Sequence, residues 1–173
     1  MMKYSCLVVA IFCCINFSFS QKNEFSNNEI VLDLGGIGGF GALSFQKKMF
    51  EINQVQISGK LGISFFRFKD FTQTFNPDIL VPFSINLNRQ FNKFGFQIGI
   101  GQTVSSIVTV SSNFQSKERE NTVSGSLMLG MKFDNPQKRM TYSIFYSPIF
   151  QQYNRYRHWG GMSIGFKLKN KKQ

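Results

Sequence analysis

The sequence predicts an all-β chain, an eight-stranded antiparallel transmembrane β-barrel wound as an up-and-down meander. Three observations lead there. Beyond the first twenty residues, apolar and polar side chains alternate with period two in segment after segment, with almost no helical periodicity. One face of that alternation is bulky and apolar, while the other is mostly Gly, Ser, Asn and Gln. No apolar run approaches the roughly 18 residues of a membrane helix, which leaves a closed barrel as the way to satisfy every backbone group in lipid.

Residues 1–20 read as a signal peptide and 21–173 as the barrel. Met1, Met2 and Lys3 make a short basic start, Leu7 to Phe17 is an almost unbroken apolar run, and Ser18-Phe19-Ser20 supplies small residues before a cleavage site at Gln21. Eleven residues reach only about 16 Å as a helix, short of a ~30 Å hydrocarbon core, so this run is not expected to anchor the chain. Cys6, Cys13 and Cys14 all lie within it, in contexts unlike that of a lipoprotein. The mature chain is therefore expected to have no disulfide, thiolate nucleophile or cysteine metal site.

The strands follow in order, at about 29–35, 39–47, 54–67, 78–88, 92–104, 122–134, 139–150 and 159–169. Glu29 to Leu34 rises before a strand carrying Ala42, Ser44 and Gln46, with Gly35–Gly39 as the turn; one long glycine-kinked strand over 29–47 is the alternative. Val55, Ile57, Leu61, Ile63 and Phe65 oppose Gln56, Ser58, Lys60, Gly62 and Ser64. Val81, Phe83, Ile85 and Leu87 oppose Pro82, Ser84, Asn86 and Asn88; Phe94, Phe96, Ile98 and Ile100 oppose Gly95, Gln97, Gly99 and Gly101. Val123, Leu127, Leu129, Met131 and Phe133 oppose Ser124, Ser126, Met128, Gly130 and Lys132. Tyr142, Ile144, Tyr146 and Phe150 mark the seventh strand; Met162, Ile164, Phe166 and Leu168 oppose Gly161, Ser163, Gly165 and Lys167 in the last. The small polar face is too lightly charged for water and suits a crowded lumen, and the Phe-rich face suits lipid.

Connections of two kinds alternate, as the short periplasmic turns and longer external loops of such barrels do. Lys47–Asn53, Asn88–Asn92 and Asp134–Lys138 are short; Lys69–Pro77, Ser105–Asn121 and Gln151–His158 are long and polar, and they make the outer loops around 67–77, 105–121 and 150–158 the expected contact surface.

There are 20 Lys and Arg against 9 Asp and Glu, a formal net charge of +11. The charges sit in twos and threes over turns with no basic helix, so nucleic acid is not an expected partner, and anionic lipid head groups are. Arg155 and Arg157 are candidates for bidentate contact with lipopolysaccharide phosphates. On the lumen face lie Asp33, Lys60, Lys132 and Lys167, three cations to one acid, expected to share water, hydroxyls and strand ends. Gln56, Lys60, Phe66, Gln97, Met128, Lys132 and Lys167 are long enough to fill the lumen of an eight-stranded barrel.

Leu34-Gly35-Gly36-Ile37-Gly38-Gly39, Val81-Pro82-Phe83-Ser84-Ile85-Asn86-Leu87, Tyr146-Ser147-Pro148-Ile149-Phe150 and Trp159-Gly160-Gly161-Met162-Ser163-Ile164-Gly165-Phe166, in that order, resemble the small outer-membrane β-barrel proteins of Gram-negative bacteria over about residues 29–169. The resemblance implies the fold and an outer-membrane location reached by export, and no activity, since most such proteins have none assigned. The chain's end departs from the pattern, because Phe166 and Leu168 are followed by Asn170-Lys171-Lys172-Gln173 where such barrels often finish on an aromatic residue.

Candidate chemistry is sparse, and neither a catalytic, cofactor nor metal site is expected. Gly36-Ile37-Gly38-Gly39-Phe40-Gly41 satisfies G-x-G-x-x-G, but strand-like Ala42-Leu43-Ser44-Phe45-Gln46 follows where a nucleotide site needs a helix. His158 is the one histidine, which excludes a histidine metal cluster. As a base for a serine in a lipid hydrolase it would need an orienting acid, and none is near it in sequence. Tyr153, Tyr156, His158 and Trp159 suit an interfacial aromatic girdle instead. The expected role is structural or interactive, through the outer loops; passive transport of small solutes is the first alternative and lipid modification the second.

Overall fold

A computed structural model describes residues 25–52, 54–65, 67–69, 75–110, 117–151 and 155–169. The expected signal peptide 1–20 with its cleavage site, Phe66 and Tyr153 lie outside the described residues, as do the side chains of Arg155 and Tyr156. The chain forms a closed barrel of eight antiparallel strands, each paired with its sequence neighbours, and β1 pairing with β8 closes the ring. The strands are β1 Phe25–Gly35, β2 Ala42–Ile52, β3 Val55–Phe65, β4 Ile79–Phe91, β5 Phe94–Val110, β6 Lys117–Asp134, β7 Met140–Gln151 and β8 Arg155–Lys169. Residues 29–47 thus form two strands, joined across a 3-10 turn, Gly36–Gly38.

The alternation sorts side chains inside out relative to a soluble barrel. Among the described residues, twenty polar or charged ones are buried, against six hydrophobic ones: Val31, Ile37, Ala42, Val108, Met128 and Phe145. The bulky apolar face points outward instead, with Phe94, Phe96, Ile98, Ile100 and Val104 of β5 between 45% and 61% exposed. Ten residues separate Phe94 from Val104. At about 3.3 Å per residue and a tilt near 40°, they span about 25 Å, the height of a lipid-facing apolar band. A water-filled exterior would hydrate this whole band at a cost that lipid removes.

Strand lengths differ from those expected. β5 and β6 run on through Ser105–Val110 and Lys117–Asn121, held by register pairs such as Ser106↔Asn121 and Val108↔Arg119. The segment 105–121, expected as the longest loop, is therefore mostly a hairpin extension. Its Ser, Thr and charged residues look like loop in sequence because they lie beyond the lipid, where no apolar face is needed. β2 likewise continues to Ile52 rather than ending at Lys47, with a bulge between Lys48 and Phe50, and pairs with β3 as far as Ile52↔Val55. Gln151–His158 shortens in the same way, since β7 and β8 pair as far as Gln151↔Arg155.

Candidate functional site

The lumen gathers the chemistry-bearing side chains of all eight strands. Glu29 and Asp33 share the inward face of β1, four residues apart, and lie at two levels of the barrel. Asp33 receives Lys60 Nζ from β3 at 2.9 and 3.0 Å and Ser44 Oγ from β2 at 2.9 Å. Both members of the ion pair are nearly sealed, with side chains 6% and 5% exposed. Glu29 receives Lys132 Nζ from β6 at 3.0 Å and the Thr141 hydroxyl from β7. Nearer the short-turn end, Lys167 Nζ donates to Asp134 Oδ1 and to the Asn135 carbonyl at 3.2 Å.

All four expected lumen charges do face inward, but the expectation of three cations sharing one acid is corrected. Each lysine has its own carboxylate: Asp33 for Lys60, Glu29 for Lys132 and Asp134 for Lys167. Glu29 was legible in sequence, since it has the parity of Asp33. So was Asp134, which has the parity of Lys132 and pairs in register with inward-facing Thr141. Paired charges in a low-dielectric interior are the form in which burial is tolerable.

Glycines make room for this network. A Cβ at Gly165 would overlap the Glu29 carboxylate and the Thr141 hydroxyl, and one at Gly99 would strike the Asn86 amide and lie 3.1 Å from Met128 Cε. Large and small residues thereby interdigitate across the lumen. The space left among Glu29, Gln46, Lys60, Gln97, Met128 and Lys132 is about 10 Å³, room for about one water.

The outer mouth is closed by the turn after β1. Positive φ values at Gly35, Gly36 and Gly39 (83°, 77° and 75°) let the backbone fold back into the barrel, a path that side chains disfavour. Ile37 is thereby buried, and its carbonyl accepts the Thr103 hydroxyl at 2.7 Å. Phe145 lies beneath, so close that a Cβ at Gly36 would overlap its ring and one at Gly161 would come within 2.7 Å of it. The G-x-G-x-x-G segment is thus a plugging turn followed by β2, as its sequence context indicates.

Above the mouth, the β3–β4 connection is tied to the β5–β6 hairpin. Asp78, 1% exposed, receives Arg67 Nε at 2.6 Å and the Val108 amide at 2.8 Å. Arg119 of β6 donates to Ser106 Oγ at 3.2 Å and to the Pro77 carbonyl. Outside the wall, His158 Nδ1 pairs with the Tyr146 hydroxyl, their rings 5.9 Å apart, and Trp159 meets Phe40 edge-on at 5.7 Å. This is the geometry of an interfacial girdle. Arg157 is exposed near the outer end of β8. Among the described residues, no group of three or more His, Cys, Asp or Glu is placed to hold a metal ion.

No protein-family model and no curated protein sequence matches this chain. Solved structures do. The N-terminal β-barrel domain of Pseudomonas aeruginosa OprF aligns with a TM-score of 0.56 at 12% identity, over 83% of this chain and 99% of that one. Neisserial surface protein A aligns with a TM-score of 0.42 at 10% identity, over 83% and 94%. The first likeness is one of fold.

Proposed function

We propose that the protein is a non-conducting, non-enzymatic barrel of the outer membrane, exported by its N-terminal segment, which acts structurally or by surface contact through its outer loops. The observation that carries this is the closed lumen: the buried lysines are matched by carboxylates, and Ile37 and Phe145 fill the mouth. A barrel so filled offers no passage to solutes, so recognition falls to the outer end, where Asp78 and Arg119 brace one connection against the next hairpin. Arg157, with Arg155 beside it in sequence, is suited to contact lipopolysaccharide phosphates there.

The test replaces residues 111–116 with a short Gly-Ser turn, sparing the paired part of β6. The variant should insert normally, by heat-modifiable gel mobility in outer-membrane fractions, and fail to complement a deletion strain. Full complementation would move the function away from this hairpin, and recovery of the wild type in the inner membrane or periplasm would end the location.

A further inference from the structure

The short-turn end of the barrel carries an apolar groove that the surface role leaves unused. It is an open groove of about 300 Å³ on the lipid-facing side of β4–β6, lined by Phe91, Phe94, Gly95, Phe96 and Met131. All four side chains are between 47% and 59% exposed. The rings are set by neighbours: Phe96 meets Phe91 edge-on at 6.1 Å, and Phe94 meets Phe133 at 5.1 Å. Register explains the place. Phe91 and Phe94 face each other across the β4–β5 hairpin end, two register positions beyond Arg89 and Phe96, and Met131 is the β6 partner of Phe96.

The rim of this groove is cationic. Arg89 is outward-facing in an otherwise apolar row, and its guanidinium lies 5.2 Å from the centre of the Phe91 ring, so it is directed toward the hairpin end and away from mid-bilayer. Lys93 stands in the two-residue turn between Phe91 and Phe94, where Asn92 takes a positive φ of 58°. Lys138 and Arg139 are exposed in the next turn, while the nearby Asp134 is engaged inward by Lys167. Arg89 and Lys93 therefore stand beside an apolar slot at the short-turn end of the wall.

We infer that this groove is a binding site for an anionic phospholipid of the short-turn-side leaflet, one acyl chain lying between Phe94 and Phe96 and the phosphate meeting Arg89 and Lys93. Lipid is the occupant because the slot opens on the membrane side of the wall and its lining is wholly apolar. An anionic head group is selected because the cations at the rim have no exposed acid among them to compete. The guanidinium suits a phosphate better than an ammonium would, presenting planar paired donors. The inference rests on the barrel lying in a membrane and is independent of any role of the outer loops.

The test is native mass spectrometry of the full mature protein released from detergent, supplied with equal phosphatidylglycerol and phosphatidylcholine of identical acyl chains. The wild type should retain one phosphatidylglycerol preferentially. R89Q should lower that preference roughly fivefold, the effect of one cation near the lipid surface. F96A, opening the slot, should reduce retention of both lipids while leaving the preference. Unchanged heat-modifiable mobility shows that each variant is folded. Equal retention of the two lipids by the wild type, or an undiminished preference in R89Q, would refute the site. A wild type that stays soluble and folded without detergent would instead refute the membrane reading beneath it.

Discussion

Replacing Lys60 by Met takes the cation from the Asp33 carboxylate in a lumen where its side chain is 5% exposed. At 2.9 Å the pair's attraction is about 6 kcal/mol at an effective dielectric near 20, and burying each ion costs several kcal/mol. The two nearly cancel while both partners are present. With Lys60 gone the attraction vanishes and the burial of Asp33 does not, relieved among the described residues by Ser44 Oγ at 2.9 Å. K60M should therefore lose about 3–5 kcal/mol, while the double variant D33N/K60M should return to within about 1–2 kcal/mol of the wild type. The assay is denaturant unfolding of protein refolded into lipid vesicles, followed by the fluorescence of Trp159, the chain's one tryptophan. Equal slopes among the variants would show that the midpoints report stability alone. A loss below about 1 kcal/mol in K60M, with no recovery in the double variant, would mean that water reaches Asp33 and that the lumen is not sealed.

Other perturbations separate the faces and the mouth. L129R places a charge on the lipid side, at a residue 50% exposed, and should cost about 2–4 kcal/mol in the same unfolding assay, whereas S126A, whose hydroxyl has no partner, should change stability by less than about 1 kcal/mol. G161A presses a Cβ to within 2.7 Å of the Phe145 ring and should cost about 1–3 kcal/mol by overpacking; adding F145L should recover part of that loss. D78N should leave the barrel's melting unchanged within a few degrees but raise proteolysis of the outer connections, because the Arg67 ion pair is lost while the Val108 amide keeps an acceptor.

Most of the wall was legible because a period of two reports both the strand and its sidedness. Val123, Leu127 and Leu129 are outward and Ser126 and Met128 inward, as their spacing indicates, since each strand must satisfy lipid on one side and a crowded lumen on the other. The hairpin extension through Ser105–Val110 was not legible, since the adjacent Ile107 and Val108 break the period-two alternation there. Nor was the mouth. Gly36–Gly38 announces a turn, but its fold inward depends on Thr103, Pro82 and Phe145 from three other strands. Pairing was legible in parity: Glu29 shares that of Asp33 on β1, and Asp134 shares that of Lys132 on β6. The aromatic groove was not legible. Its walls come from residues that each look like ordinary lipid-facing positions, and only cross-strand register sets Phe91, Phe94, Phe96 and Met131 around one space.

The measurement that bears most directly on a sealed, self-filled barrel is ion conductance of the purified protein in a planar lipid bilayer. With Lys60, Lys132 and Lys167 each held by a carboxylate and Ile37 packed into the mouth, the inserted wild type should pass no steady current at moderate voltage. Steady ohmic conductance at the level of an open, water-filled pore would contradict the closed lumen and make solute transport the function to pursue.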